Sequence, residues 1–135
     1  MRKISNSINL PRILHPPPAH INKTSKVRER MTKLKVGMAG YGIVGKRRRI
    51  CVDQNSDMEL VAVCDRTFSD DGVFSDGVKF YKDYKDLLLE KLDVLIVCLT
   101  NDISPYVTIE ALDLDLHVFC EKPPGRDVGD IERVI

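Results

Sequence analysis

No apolar run in the chain approaches the roughly 18 residues needed to span a bilayer, so no membrane partner is expected and the chain should be soluble. Its charges nearly cancel, 21 Lys and Arg against 20 Asp and Glu, so no bulk attraction to nucleic acid is expected either. Cysteine pairs are missing too: Cys51, Cys64, Cys98 and Cys120 stand far apart with no Cys-x-x-Cys, which argues against a zinc site or a thioredoxin-type motif. Three of them lie in apolar runs, where a free thiol behaves as a small core hydrophobe. We expect all four to be reduced packing residues, no bound metal, and the cytoplasm as the compartment. Length sets the last limit, because 135 residues suffice for one domain that buries about two-thirds of its unfolded surface.

What is present is divided unevenly. Residues 1–32 carry Arg2, Lys3, Arg12, Lys23, Lys26, Arg28 and Arg30 against the single acid Glu29, together with Pro11 and the run Pro16-Pro17-Pro18. Too few apolar residues cluster there to bury a core, so this basic, proline-rich segment is expected to be a disordered tail. It lacks the apolar stretch of a secretory signal, and its prolines interrupt any amphipathic transit helix. A start at Met31 would equally explain the segment; a nucleic-acid-binding arm is the remaining alternative.

From Lys33 the pattern is strand, glycine turn, helix, strand. Val36-Gly37-Met38-Ala39 is a short apolar strand, and Gly40, Gly42 and Gly45 follow it in the G-x-G-x-x-G spacing. Each glycine meets a different steric demand: a sharp turn off the strand, backbone approach to a pyrophosphate, and close packing of the next helix. Ile43 and Val44 at the helix start belong to the same anion-binding turn, since the first amides of a helix lack intrahelical partners. The helix extends to Gln54, and Leu60 to Cys64 forms the second strand. Asp65 ends that strand about 20 residues after the last glycine, where a carboxylate meets the adenosine ribose. Arg66 beside it can accommodate a 2′-phosphate, so NAD is expected and NADP remains possible.

Lys46-Arg47-Arg48-Arg49 opens the helix as either a phosphate-facing run or a solvated face. Thr67 to Gly77 reads as a loop around the adenosine, Lys79-Phe80-Tyr81 as a third strand, and Asp83 to Lys91 as a short covering helix. Val94 to Leu99 is a continuous apolar run of the kind buried on both faces of a parallel sheet. Thr100, Asn101 and Asp102 follow at its carboxyl end, beside the expected nicotinamide half, although turn chemistry before the next helix would equally account for Asn101 and Asp102. Ser104-Pro105 reads as an N-cap with proline at the first helical position, and His117-Val118-Phe119-Cys120 as the next strand. The expected fold is α/β, a Rossmann-like doubly wound parallel sheet, incomplete at its C-terminus, over residues 33–135.

The glycine turn, Val63-Cys64-Asp65-Arg66, Thr100-Asn101-Asp102 and His117 through Glu121-Lys122-Pro123 together resemble the Gfo/Idh/MocA family of nicotinamide-dependent oxidoreductases. The resemblance spans about Lys33 to Ile135, and Glu-Lys-Pro is its most specific part. It implies an NAD(P)-binding domain of an enzyme that transfers hydride to or from a hydroxyl of a sugar, inositol or related polyol. It further implies that Lys122 is the catalytic lysine beside the reacting oxygen, that Glu121 holds the local geometry next to the cofactor, and that the lysine–proline bond is often cis. Three departures stand out. Ser104 takes a position where the family often has histidine, Asp115 replaces the usual helix-ending glycine, and the family's second domain has no counterpart. The chain alone is therefore expected not to turn over and to be prone to self-association through an uncovered face. A stand-alone nucleotide binder and a methyl-donor-binding transferase are the competing readings.

Overall fold

The computed structural model describes residues 32–135, so the expectations for the basic tail lie outside the described residues. The described residues form ten elements, eight of them in the order the sequence suggests and two, a short strand and the last helix, added to it. They are β1 (Leu34–Ala39), α1 (Ile43–Asp53), β2 (Met58–Cys64), β3 (Gly72–Val73), β4 (Lys79–Tyr81), α2 (Tyr84–Leu87), β5 (Val94–Val97), α3 (Ser104–Asp113), β6 (His117–Cys120) and α4 (Val128–Val134). They form one sheet in the order β3-β4-β2-β1-β5-β6. Every pairing is parallel except β3 with β4.

The chain leaves β1 toward β2 and β4 on one side and returns to β5 and β6 on the other. Strand order thus reverses between β1 and β5, and a crevice opens there at the carboxyl ends of the strands, the place where such sheets bind ligands. Period-two alternation sends β1 and β5 side chains into two cores. Leu95 and Val97 join Ala39, Leu87, Val107 and Ala111 on one face, whereas Ile96 joins Val36, Met38, Val52 and Val63 on the other. Burial on both faces is why Val94 to Val97 reads as an unbroken apolar run.

Three local expectations are corrected. The segment Thr67 to Gly77 is not all loop, because Gly72 and Val73 pair with Phe80 and Lys79 to make β3. Ser104 is not an N-cap: Ile103 holds that position, and the buried Ser104 hydroxyl donates backward to the carbonyls of Leu99 and Thr100, at 3.2 and 3.0 Å. Cys51 is exposed on α1 rather than packed, although all four thiols are free. Burial raises the Cys64 thiol to about 12 and the Cys98 thiol to about 11, so both stay protonated at neutral pH and act as hydrophobes.

Asp115 adopts a φ of 58° after α3, the left-handed conformation that glycine accepts most readily. Its N–H donates to the Leu112 carbonyl and that of Leu116 donates to Ala111, which closes the helix in a Schellman arrangement. Aspartate does glycine's work here at some strain.

Candidate functional site: the cleft at the glycine turn

The turn is built by three glycines with separate reasons. Gly40 has a φ of 94°, and a Cβ there would collide with the Cys98 carbonyl of the neighbouring strand. At Gly45 a Cβ would strike the Gly40 carbonyl, so α1 can lie this close to β1 only without a side chain. Gly42 is different. Its φ of −75° and ψ of −157° suit any residue, and a Cβ built there meets nothing within 4 Å. Neither the conformation nor the packing of the chain requires glycine at this position. Gly42 is also the N-cap of α1 and supplies no side-chain acceptor, whereas Asp83 and Asp127 cap α2 and α4 through their carboxylates. The start of α1 therefore presents open space in front of amides that have no capping side chain, an arrangement suited to an anion.

A cleft of about 1030 Å³ opens over this turn. Gly40, Gly42, Asp65, Arg66 and Thr100 line it, as do Thr67, Ser69, Asp71, Lys82, Asp83 and Asp102. Ile43 and Val44 open α1 with exposed side chains and lie outside the lining. Asn101 is exposed and outside the lining, while its neighbour Asp102 is within it. Glu121 and Lys122 also lie outside the lining, at the end of β6.

Asp65 ties the turn to the end of β2. One carboxylate oxygen accepts the Tyr41 amide at 2.8 Å, and the other accepts the amide and hydroxyl of Thr67 at 2.9 and 2.7 Å. Partial burial opposes the charge, but the Thr67 and Tyr41 donors outweigh it and hold the carboxyl below the usual carboxylate range. The anion is thus fixed in place beside exposed Arg66. Across the sheet, Glu121 pairs with Arg48 of α1, which keeps its carboxyl low as well, and the Arg48 guanidinium lies 5.5 Å from the Phe119 ring centre. The Glu121 amide extends the β6–β5 ladder to Val97 at 2.8 Å. Exposed Lys122 follows, joined to Pro123 by a cis bond.

Two features escaped the sequence reading. The basic run divides by helical angle: Lys46 and Arg47 are exposed, Arg48 turns to Glu121, and Arg49 turns to Tyr41 and Asp76. Beyond Pro124, Asp130 is buried and paired with Arg126 and Arg133, which pins the segment after Lys122 to the start of α4. Only the alternation of Arg126, Asp130 and Arg133 at helical spacing hinted at the second, and nothing local signalled the partners of Arg49.

Known proteins give these observations a frame. The chain is 35% identical over 108 residues to inositol 2-dehydrogenase of Salmonella typhimurium (strain LT2), covering 76% of this chain and 32% of that protein. It is 34% identical to D-glucoside 3-dehydrogenase of Escherichia coli (strain K12), covering 68% of this chain and 28% of that one. Among solved structures, myo-inositol 2-dehydrogenase from Lactobacillus plantarum superposes with a TM-score of 0.62 at 27% identity, covering 76% of this chain and 32% of that one. The chain thus spans about a third of the length of the relatives it matches. The family model described as oxidoreductase family, NAD-binding Rossmann fold, matches residues 34–135. The fold, the glycine turn and this match agree, and the chain belongs to the Gfo/Idh/MocA oxidoreductase family, whose NAD-binding domain it carries.

Proposed function

We propose that the chain is the cofactor-binding part of an oxidoreductase that moves hydride between NAD and a hydroxyl-bearing carbon of a sugar, an inositol or a related polyol. The observation that carries the cofactor side is Gly42, a glycine that the fold itself does not need, facing open space at an uncapped helix start. A pyrophosphate fits that space, with Gly40, Gly42 and the backbone of Ile43 and Val44 holding it. Asp65 takes the adenosine ribose hydroxyls. Six aspartates line the cleft against Arg66 and Lys82, so a 2′-phosphate meets net repulsion and NAD is preferred over NADP.

Thr100, Asn101 and Glu121 stand on the nicotinamide side of this reading. When bound, the nicotinamide supplies a two-electron hydride acceptor or donor. Lys122 acts as the catalytic residue: its Nζ donates a hydrogen bond to the substrate oxygen, stabilises the alkoxide charge and relays the proton. Glu121, gripped by Arg48, fixes the strand end from which Lys122 extends. The relatives' greater length leaves room for a polyol pocket contributed by residues beyond this chain's match. Four free thiols suit a reducing compartment such as the cytoplasm.

One observation favours a second reading, a nucleotide-binding chain without catalysis of its own, because Lys122 lies outside the cleft lining. Calorimetry separates the cofactor classes: NAD should bind saturably, NADP at least about tenfold more weakly, and S-adenosylmethionine not detectably. Joined to the remainder of a related inositol dehydrogenase, the chain should then form NADH in the presence of a polyol, and the Lys122→Met variant should not. Preferential binding of S-adenosylmethionine, or equal NADH formation by that variant, overturns the proposal.

A further inference from the structure

Arg49 is the best-connected side chain on α1. Its Nη1 donates to the Tyr41 hydroxyl at 2.9 Å, its Nε to Asp53 at 3.1 Å, and its Nη2 pairs with Asp76. Only 19% of the side chain is exposed, while Asp53 and Asp76 remain about half in water, at 51% and 44%. The guanidinium therefore spans three segments: the glycine turn, helix α1 and the tight turn between β3 and β4. That last turn is itself ordered, since Asp76 accepts the Val78 amide at 3.1 Å and Phe74 and Val78 join through a backbone bond of 2.8 Å.

What Arg49 holds bears directly on the cleft wall. The Tyr41 ring lies 6.2 Å from Phe68 and 5.8 Å from Phe74, and Phe68 packs on Phe80 at 5.2 Å, in the geometry of favourable aromatic contacts. Phe68 is flanked by Thr67 and Ser69, which both line the cleft. Tyr41 is meanwhile the residue between the first two turn glycines, and its amide is bonded to Asp65. From these contacts we infer that Arg49 is a positioning residue: through Tyr41 and Asp76 it holds the Asp65–Asp71 wall against the glycine turn, pre-shaping the adenosine half of the cleft. It touches no cofactor atom. Pre-organisation of this kind strengthens binding by removing an ordering cost from the bound state. The inference rests on the cofactor reading above.

Arg49→Met keeps the aliphatic stem and removes the fork. It should weaken NAD about tenfold by calorimetry, and amide hydrogen exchange should quicken at Thr67, Phe68 and Val78 while Cys98, bonded to Ala39 across the sheet, keeps its protection. A purely structural role would instead speed exchange at all four together. Arg49→Lys, with its single ammonium, should recover part of the affinity, to about threefold below the parent. Tyr41→Phe removes only the hydroxyl and keeps the ring contacts, so it serves if the methionine variant is poorly folded. It should weaken NAD in the same direction, and combining it with Arg49→Met should add little further loss. Parental NAD affinity in Arg49→Met and Tyr41→Phe, or uniformly faster exchange, overturns the inference. A parent chain that binds no NAD refutes the cofactor reading instead, and the exchange pattern then decides the clamp alone.

Discussion

On the β2 side of the glycine turn, Asp65 accepts bonds from Tyr41 and Thr67 and Arg49 fastens Tyr41 to Asp76, so each wall residue is held by a neighbour that is itself held. On the β6 side, Glu121 meets Arg48 at the end of an edge strand, Phe119 is 50% exposed, and exposed Lys122 is not among the cleft's lining residues. The first side is preformed and the second is open. Affinity for the adenosine half of the proposed cofactor should therefore reside in this chain's own hydrogen bonds, whereas the chemistry proposed for Lys122 would depend on what approaches the open side. A rigid half paired with an open half suits a cofactor that is gripped at one end and reacts at the other.

The contrast can be broken first at the hinge shared by both sides. Gly40→Ala places a Cβ at a φ of 94° and against the Cys98 carbonyl, joining β1 to β5 by a clash. It should lower stability by about 2–5 kcal/mol, summing left-handed strain and overpacking, as read by urea unfolding.

Next in size is the anchor of the closed side. Asp65→Asn offers one acceptor oxygen where the carboxylate offers two, so either Tyr41 or Thr67 loses its partner. Stability should fall by roughly 1–3 kcal/mol, with NAD weakened as well. The carboxyl's folded pKa lies below its unfolded value of about 3.9. Its contribution is therefore complete above that value and lost as pH falls through the folded pKa. Chemical unfolding of the parent should show this contribution intact at about pH 5 and declining only below about pH 4. The asparagine variant should lack that part of the acid slope.

The smallest effect lies on the open side. Asp115→Gly relieves the left-handed strain at the end of α3 and should raise stability by about 0.5–1 kcal/mol without changing NAD affinity, since the helix C-terminus is remote from the turn. A change in NAD affinity here would mean that the two sides are coupled.

The sequence disclosed what rests on local pattern. The apolar runs of β1, β2 and β5, the three glycines and the acidic strand end all lie where their spacing put them, because burial on two faces and turn geometry leave direct marks on neighbouring residues. Asp115 stood out only against the family resemblance, where a helix-ending glycine is usual, and its φ of 58° fits that position. What stayed hidden depends on partners distant in the chain. β3 is two residues long and exists only by pairing with β4. Ser104 could have capped or bonded backward, and the buried approach of Leu99 and Thr100 decided between them. Arg48 and Arg49 looked alike in a basic run, yet 100° of helix rotation sends one to β6 and the other to the β3–β4 turn. Side-chain networks that cross elements leave no periodic trace.

The central claim is that Gly42 is kept open for a ligand rather than for the fold, and Gly42→Val tests it most directly. Valine fits the extended backbone at this N-cap, so thermal unfolding should match the parent within about 1 kcal/mol, as reduced chain entropy in the unfolded state and a poorer cap offset one another. Calorimetric titration with NAD should give saturable binding for the parent and none for the variant. Equal binding by both, or loss of binding only alongside a collapse of the thermal transition, would contradict the account.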